Sequence, residues 1–171
     1  TGPRSDHAVE TAKAVDALRE NPGPVVIGAT QVASCFGPAY EFALLLQSEL
    51  LKAGGDALVS QCPITFVTPE PFVGHLGLNG TKLSNGLLTK LFKERNVTAI
   101  VNCRIKQANR DSVIIQYHTK PEDDPSFIEE KVLPSKFTML IPPFRGMECW
   151  RKVPNLTDEK GMILVDAHQQ S

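Results

Sequence analysis

Four side chains in this 171-residue sequence are of types that carry sulfur or proton chemistry, and each sits where a turn or a helix end would present it: Cys35, Glu41, His75 and His7. Cys35 lies in "GATQVASCFGPAYE", residues 28–41, after a short apolar run and before a helical one. Unpaired backbone N–H groups at a helix start favour negative charge, so a thiolate there would be stabilised and more reactive. The same position also suits a small residue filling a tight turn, and position alone leaves both readings open. Glu41 falls in the first or second turn of that helix. A carboxylate there either relays protons near a thiol or complements the helix dipole. His75, in "GHLG", has no ligand type beside it, which argues against a metal and leaves proton transfer or a solvent-facing ring. His7, at the start of the first helical segment, is read the same way.

The turn that carries Cys35 resembles a dinucleotide-binding turn with parts missing. Such a turn uses one glycine for the bend, a second for pyrophosphate approach and a third for helix–strand packing. Gly28 supplies the first, Thr30 replaces the second, and Ala33 serves as the third. The Cβ of Thr30 crowds the place of a phosphate. The next strand should end in an acid for a ribose hydroxyl, yet it reads "VTPEP", with Thr68 at the tip and Glu70 between two prolines. The fold signal survives and the NAD(P) signal does not. Gly37 is permissive and Pro38 suits a first helical turn.

The elements that must position these residues follow from periodicity. Residues 6–20 predict a helix capped by Asp6, with Ala8, Ala12, Val15 and Leu18 as its apolar stripe. "VVIGA" (25–29), "ITFVT" (64–68) and "TAIVN" (98–102) predict buried strands. Between them lie helices from Ala39 to Ala53, ended by Gly54-Gly55, and from Lys82 to Arg95, with Leu83, Leu87, Leu88, Leu91 and Phe92 on one face. The βαβαβ order predicts an α/β fold: a Rossmann-like parallel sheet with helical crossovers. "CRIKQ", "SVIIQYH" and "FIEEKVL" then predict an antiparallel β-meander in place of the next helix. "FTMLI" (137–141) returns to the sheet, and "MILVD" (162–166) is expected as a last strand.

Composition narrows the classes. Hydrophobic residues make up 42%, charged residues 22%, and the net charge is −1, which suits one soluble globular domain over 1–171. No basic run is interleaved with aromatics, so nucleic acid is not an expected partner. No apolar stretch approaches ~20 residues, the length a bilayer crossing needs. The four cysteines show neither CxxC nor zinc spacing, and Cys62, Cys103 and Cys149 are expected to be buried, inert thiols.

Taken together, "VVIGATQVASCFGPAYEFA", "ITFVTPEPFVGHLGLNG", "VLPSKFTMLIPPFRG" and "ILVDAHQQS" resemble the sulfide:quinone oxidoreductases. These are flavoproteins with two dinucleotide-type domains, related to the flavocytochrome sulfide dehydrogenases. "ASCFGPAYE" and "PFVGHLG" are the specific parts. The resemblance implies that this chain is the second, NAD(P)-domain-like unit of a longer flavoprotein, excised from its FAD-binding parts and inactive alone. It implies FAD, bound mainly by parts outside this chain, with Gly28, Thr30, Phe36, Gly37 and Pro38 on the cofactor side of the turn. Cys35 is then the redox cysteine, whose partner cysteine lies elsewhere, and sulfide and quinone are the substrates. Glu41 and His75, and less securely His7, match proton-handling positions. A cysteine that many members carry shortly before that histidine is absent from "GPRSDH". Peripheral attachment to a bacterial inner membrane, through a C-terminal part outside this chain, is implied for the whole enzyme. The alternative is an NAD(P)H-binding module of a disulfide-reductase-type flavoprotein, or an interaction domain whose thiols are all inert.

Overall fold

In the computed structural model, which describes residues 3–78, 82–117 and 129–168, the run Val25–Ala29 forms strand β1 at the centre of a parallel sheet. Its five residues are all buried, as β-branched residues flanked on both sides should be. β2 (Ile64–Val67) lies on one side and β7 (Phe137–Ile141) on the other, so that Val25 faces Ile64 and Phe137 in register. β3 (Val97–Ile100) pairs parallel with β2, and the order across the sheet is β3-β2-β1-β7. The strand–helix alternation and the return of "FTMLI" to the sheet are as the periodicity predicts.

Successive side chains of a strand face opposite sides, and here the two sides meet different partners. Val25, Ile27, Ile64, Phe66, Val97 and Phe137 pack on one face with Leu18 of α1 (Pro3–Glu20) and with Ala39, Tyr40, Ala43, Leu46 and Leu50 of α2 (Gly37–Gln61). Phe92 of α3 (Lys82–Glu94) completes that layer. Val26 and Val67 point the other way, into a second core with Cys103, Val113, Ile115 and Leu133. Those last residues belong to an antiparallel sheet of β4 (Cys103–Ala108), β5 (Ser112–Tyr117) and β6 (Glu129–Pro134). The meander therefore covers the face that a second helical layer would otherwise cover.

Several local expectations are corrected. α1 starts at Pro3, so Asp6 lies inside the helix rather than capping it. α2 starts at Gly37, two residues before the expected Ala39; its first segment ends at Gly54-Gly55 as expected, and a second helical segment follows. Gly55 takes a non-helical conformation (φ 64°, ψ −162°), and the helix resumes to Gln61, where the Cys62 N–H donates to the Leu58 and Val59 carbonyls. One left-handed glycine kinks a helix when the residues beyond it still favour helix. On α3, Phe92 is buried and Leu88 and Leu91 are half-buried, but Leu83 and Leu87 stand exposed. The apolar stripe is wider than the strip of helix the sheet covers.

The run 162–166 forms no strand. Its backbone is engaged locally instead: Leu164 donates to the Leu156 carbonyl, and the Met162 carbonyl accepts from Asp158. Thr157 and Ile163 form an isolated bridge, while Met162 to Val165 remain exposed. Pro142 and Pro143 follow β7 directly, and proline cannot continue a ladder. Residues 79–81 and 118–128 lie outside the described residues; they hold the expected loop 119–126, the end of the loop 69–80, and His118, Phe127 and Ile128 of the expected meander strands.

Candidate active site

The turn after β1 shows what Thr30 does. Its N–H (3.0 Å) and its hydroxyl (3.1 Å) both donate to the carbonyl of Ile141, the last residue of β7. Beside it the Gln31 side chain acts as an extra strand residue: its Nε2 donates to the Ile105 carbonyl (3.3 Å) and its Oε1 accepts the Ile105 N–H (3.2 Å). The turn is thus fastened to the parent sheet by one residue and to β4 by the next. Gly28 also differs from its expected role. It lies within β1, and a Cβ there would stand 1.9 Å from the Val67 carbonyl oxygen. Close approach of β2 demands that glycine, not a bend around a ligand. Chain connections leave β1 for β2 on one side while β7 lies on the other, so the turn occupies the switch point of the sheet. Ligands of open α/β sheets bind there, at the carboxyl ends of the strands.

Cys35 is an exposed, free thiol on this turn. It precedes Phe36, the N-cap residue of α2, and Pro38 sits in the first turn as expected. No side chain caps the helix, and the Ala39 N–H donates to the Phe36 carbonyl. Gly37 and Pro38 are exposed; Phe36 is half-buried, with its ring against Gly77, where a Cβ would stand 3.5 Å away. That contact places the loop after β2 next to the cysteine turn. Glu41 is exposed on the following helical turn.

The loop after β2 is organised by residues that sequence reasoning missed. Glu70 does not stand at the strand tip toward a ribose. It is buried, with 3% of its surface exposed, and accepts hydrogen bonds from the Thr68 hydroxyl (2.6 Å), the Tyr40 hydroxyl (2.8 Å) and the Leu76 N–H (2.5 Å). The Tyr40 hydroxyl in turn accepts the Gly74 N–H (2.9 Å). Burial drives the phenol of Tyr40 well above its usual range, and the Glu70 carboxylate pushes the same way against the Gly74 N–H. The available signal was the acid locked between Pro69 and Pro71 soon after a mostly buried strand. His75 sits in the held loop, half-buried, with its ring edge-on to Phe72 at 5.1 Å.

The remaining candidates fall elsewhere. His7 is exposed on α1 and lines a shallow cavity of about 300 Å³ with Lys136 and Phe137, at the start of β7. Cys35 follows the opposite end of the neighbouring parallel strand β1, so this chain does not bring His7 to the thiol. Cys103 and Cys62 are buried as expected, but Cys149 is exposed. The Cys103 thiol approaches the Thr68 and Ile100 carbonyls, both at 3.4 Å, and burial pushes it up to about 11. No three His, Cys, Asp or Glu side chains converge as metal ligands among the described residues.

Comparison with known proteins follows that geometry. No protein-family profile matches the chain. A sulfide-quinone reductase of Aquifex aeolicus is 46% identical over 144 residues, which is 84% of this chain and 31% of that protein. The X-ray structure of the sulfide:quinone oxidoreductase of Aquifex aeolicus superposes with a TM-score of 0.82 at 40% identity, over 94% of this chain and 35% of that one. The chain thus spans about a third of the length of these relatives. A histamine dehydrogenase from Rhizobium sp. 4-9 shares the fold alone, with a TM-score of 0.51 at 13% identity.

Proposed function

We propose, for a chain that belongs over this shared segment to the sulfide:quinone oxidoreductase family, that it is the second Rossmann-like domain of a longer, FAD-dependent enzyme that oxidises sulfide and reduces quinone. Cys35 is its sulfur-handling thiol. One observation carries the reading: an exposed thiol on the switch-point turn, beside a Thr30 N–H and hydroxyl and a Gln31 side chain that are already engaged. Thr30 is bonded to Ile141 and Gln31 to Ile105, and the space beside Gly28 is filled by Val67. This turn does not suit the pyrophosphate of NAD(P). It does suit a flat ring docked from outside, since Cys35 is accessible and Val32 of the same turn is exposed.

Bound FAD supplies the two-electron acceptance that sulfur oxidation requires, and this chain supplies placement. Thiol–disulfide exchange needs an accessible sulfur, which Cys35 offers and Cys103 does not. Attack of hydrosulfide on a disulfide between Cys35 and a cysteine elsewhere in the enzyme breaks the S–S bond. It leaves a persulfide on one cysteine and a thiolate on the other. Glu41 and His75 flank the turn as carriers of the protons released when sulfide is consumed, His75 held by its loop and Glu41 free in solvent. Membrane attachment belongs to parts outside this chain; among the described residues no helix is long and apolar enough to cross a bilayer.

The test uses the full-length protein under anaerobic conditions with a short-chain ubiquinone. Sulfide is expected to drive quinone reduction, and NADH is not. Micromolar NADH binding followed by Trp150 fluorescence, with NADH-driven reduction, would contradict the reading and favour a nicotinamide-binding module.

A further inference from the structure

The Glu70 carboxylate has no cation beside it among the described residues; its three partners are two hydroxyls and one backbone N–H. A buried carboxylate is tolerated only when its lone pairs are met by donors, and here the donors lead to one segment. Leu76, whose N–H binds Glu70, has a left-handed backbone (φ 57°) that leucine rarely adopts. Gly74, whose N–H binds Tyr40, and Gly77 are left-handed as well, at 81° and 72°. The carbonyls of the same stretch are held from the other side: Asn85 donates to Val73 (2.7 Å) and Ser84 to Gly74 (2.8 Å). His75 lies between the two residues whose N–H groups are captured, and Gly77 lies against Phe36, the neighbour of Cys35.

We propose that Glu70 is a positioning residue for the site: through Leu76 directly, and through Tyr40 and Gly74, it fixes the 74–77 loop and holds His75 beside the Cys35 turn. This rests on the reading of His75 as a proton carrier given above. The carboxylate suits the task because all three of its partners donate. In Glu70→Gln the amide oxygen can still serve Leu76, but the NH₂ group then meets the Thr68 and Tyr40 hydroxyls, and Tyr40 already accepts from Gly74. The Tyr40 branch of the anchor is lost, while the Leu76 branch and the apolar core are kept. Tyr40→Phe tests the second branch. It removes the acceptor of the Gly74 N–H and keeps the ring packed 4.4 Å from Phe66.

The experiment combines amide hydrogen exchange with sulfide-driven flavin reduction in the full-length protein. Glu70→Gln and Tyr40→Phe are each expected to accelerate exchange at Gly74 at least tenfold, leaving β1 and β2 amides within about twofold of the native rates. Glu70→Gln is also expected to slow flavin reduction about tenfold, and to add nothing further in a His75→Asn background. A native exchange rate at Gly74 in either variant overturns the proposal. So does faster exchange throughout β1 and β2, or an undiminished kinetic loss in the His75→Asn background. If Cys35→Ser leaves the sulfide reaction intact, the functional reading fails, and the exchange rates alone decide whether Glu70 sets the loop.

Discussion

Cys35 and Cys103 carry the same group into opposite surroundings, and the difference is measurable. Cys103 is 1% exposed, and desolvation raises its thiol from 9.0 to about 11. Between those values the unfolded chain has released a proton that the folded chain still holds, so stability falls as pH rises. The contribution is complete below pH 9 and is lost through pH 11, on the order of 2 kcal/mol. The buried Tyr40 phenol, also raised, adds in the same direction at higher pH. Urea unfolding at intervals from pH 8 to 11 should show this decline, and Cys103→Ala should flatten its first part. Identical slopes would mean that Cys103 is not desolvated. At this scale the sequence was legible where a residue type met a recognisable backbone position, as with Cys35 ahead of α2. Glu70 was not legible in the same way. Whether an acid at a strand tip turns inward depends on Tyr40, 30 residues away, supplying a hydroxyl.

The elements followed from pattern where burial was one-sided or complete. β1 and β7 matched "VVIGA" and "FTMLI" to the residue because continuous β-branched and apolar runs admit no other fit in a parallel sheet. Gly54-Gly55 was read as a stop and does break the helix, but helix resumes to Gln61, which a local signal does not reveal. The 162–166 run has strand composition but pairs with residues 156–158 instead of the sheet, and composition alone does not choose the partner. Gly28 was assigned to the tight bend of the turn, whereas its constraint comes from β2, the next strand over. Gly28→Ala should therefore destabilise the fold by about 3 kcal/mol or more, the upper end of the cost of overpacking, in chemical denaturation with or without FAD. A change below about 0.5 kcal/mol would mean that β1 and β2 can separate freely there.

For the whole molecule, the layering decides what the turn can do. Three helices cover one face of the parallel sheet and the meander the other, and Gln31 bonds the cysteine turn to that meander. In the proposed reading, a fold that ordinarily cradles a dinucleotide has its turn bonded to Ile141 and Ile105, with a thiol at the rim. The fold class and the thiol were readable from this chain's own residues; the proposed function draws the flavin and the second cysteine from elsewhere, and this chain spans about a third of its relatives' length. The most direct measurement is anaerobic stopped-flow reduction of the flavin by sulfide in the full-length enzyme, native against Cys35→Ser. Since the thiol is exposed, the replacement should leave the thermal midpoint unchanged while slowing flavin reduction at least a hundredfold. Flavin reduction by sulfide within about twofold of the native rate would contradict the account.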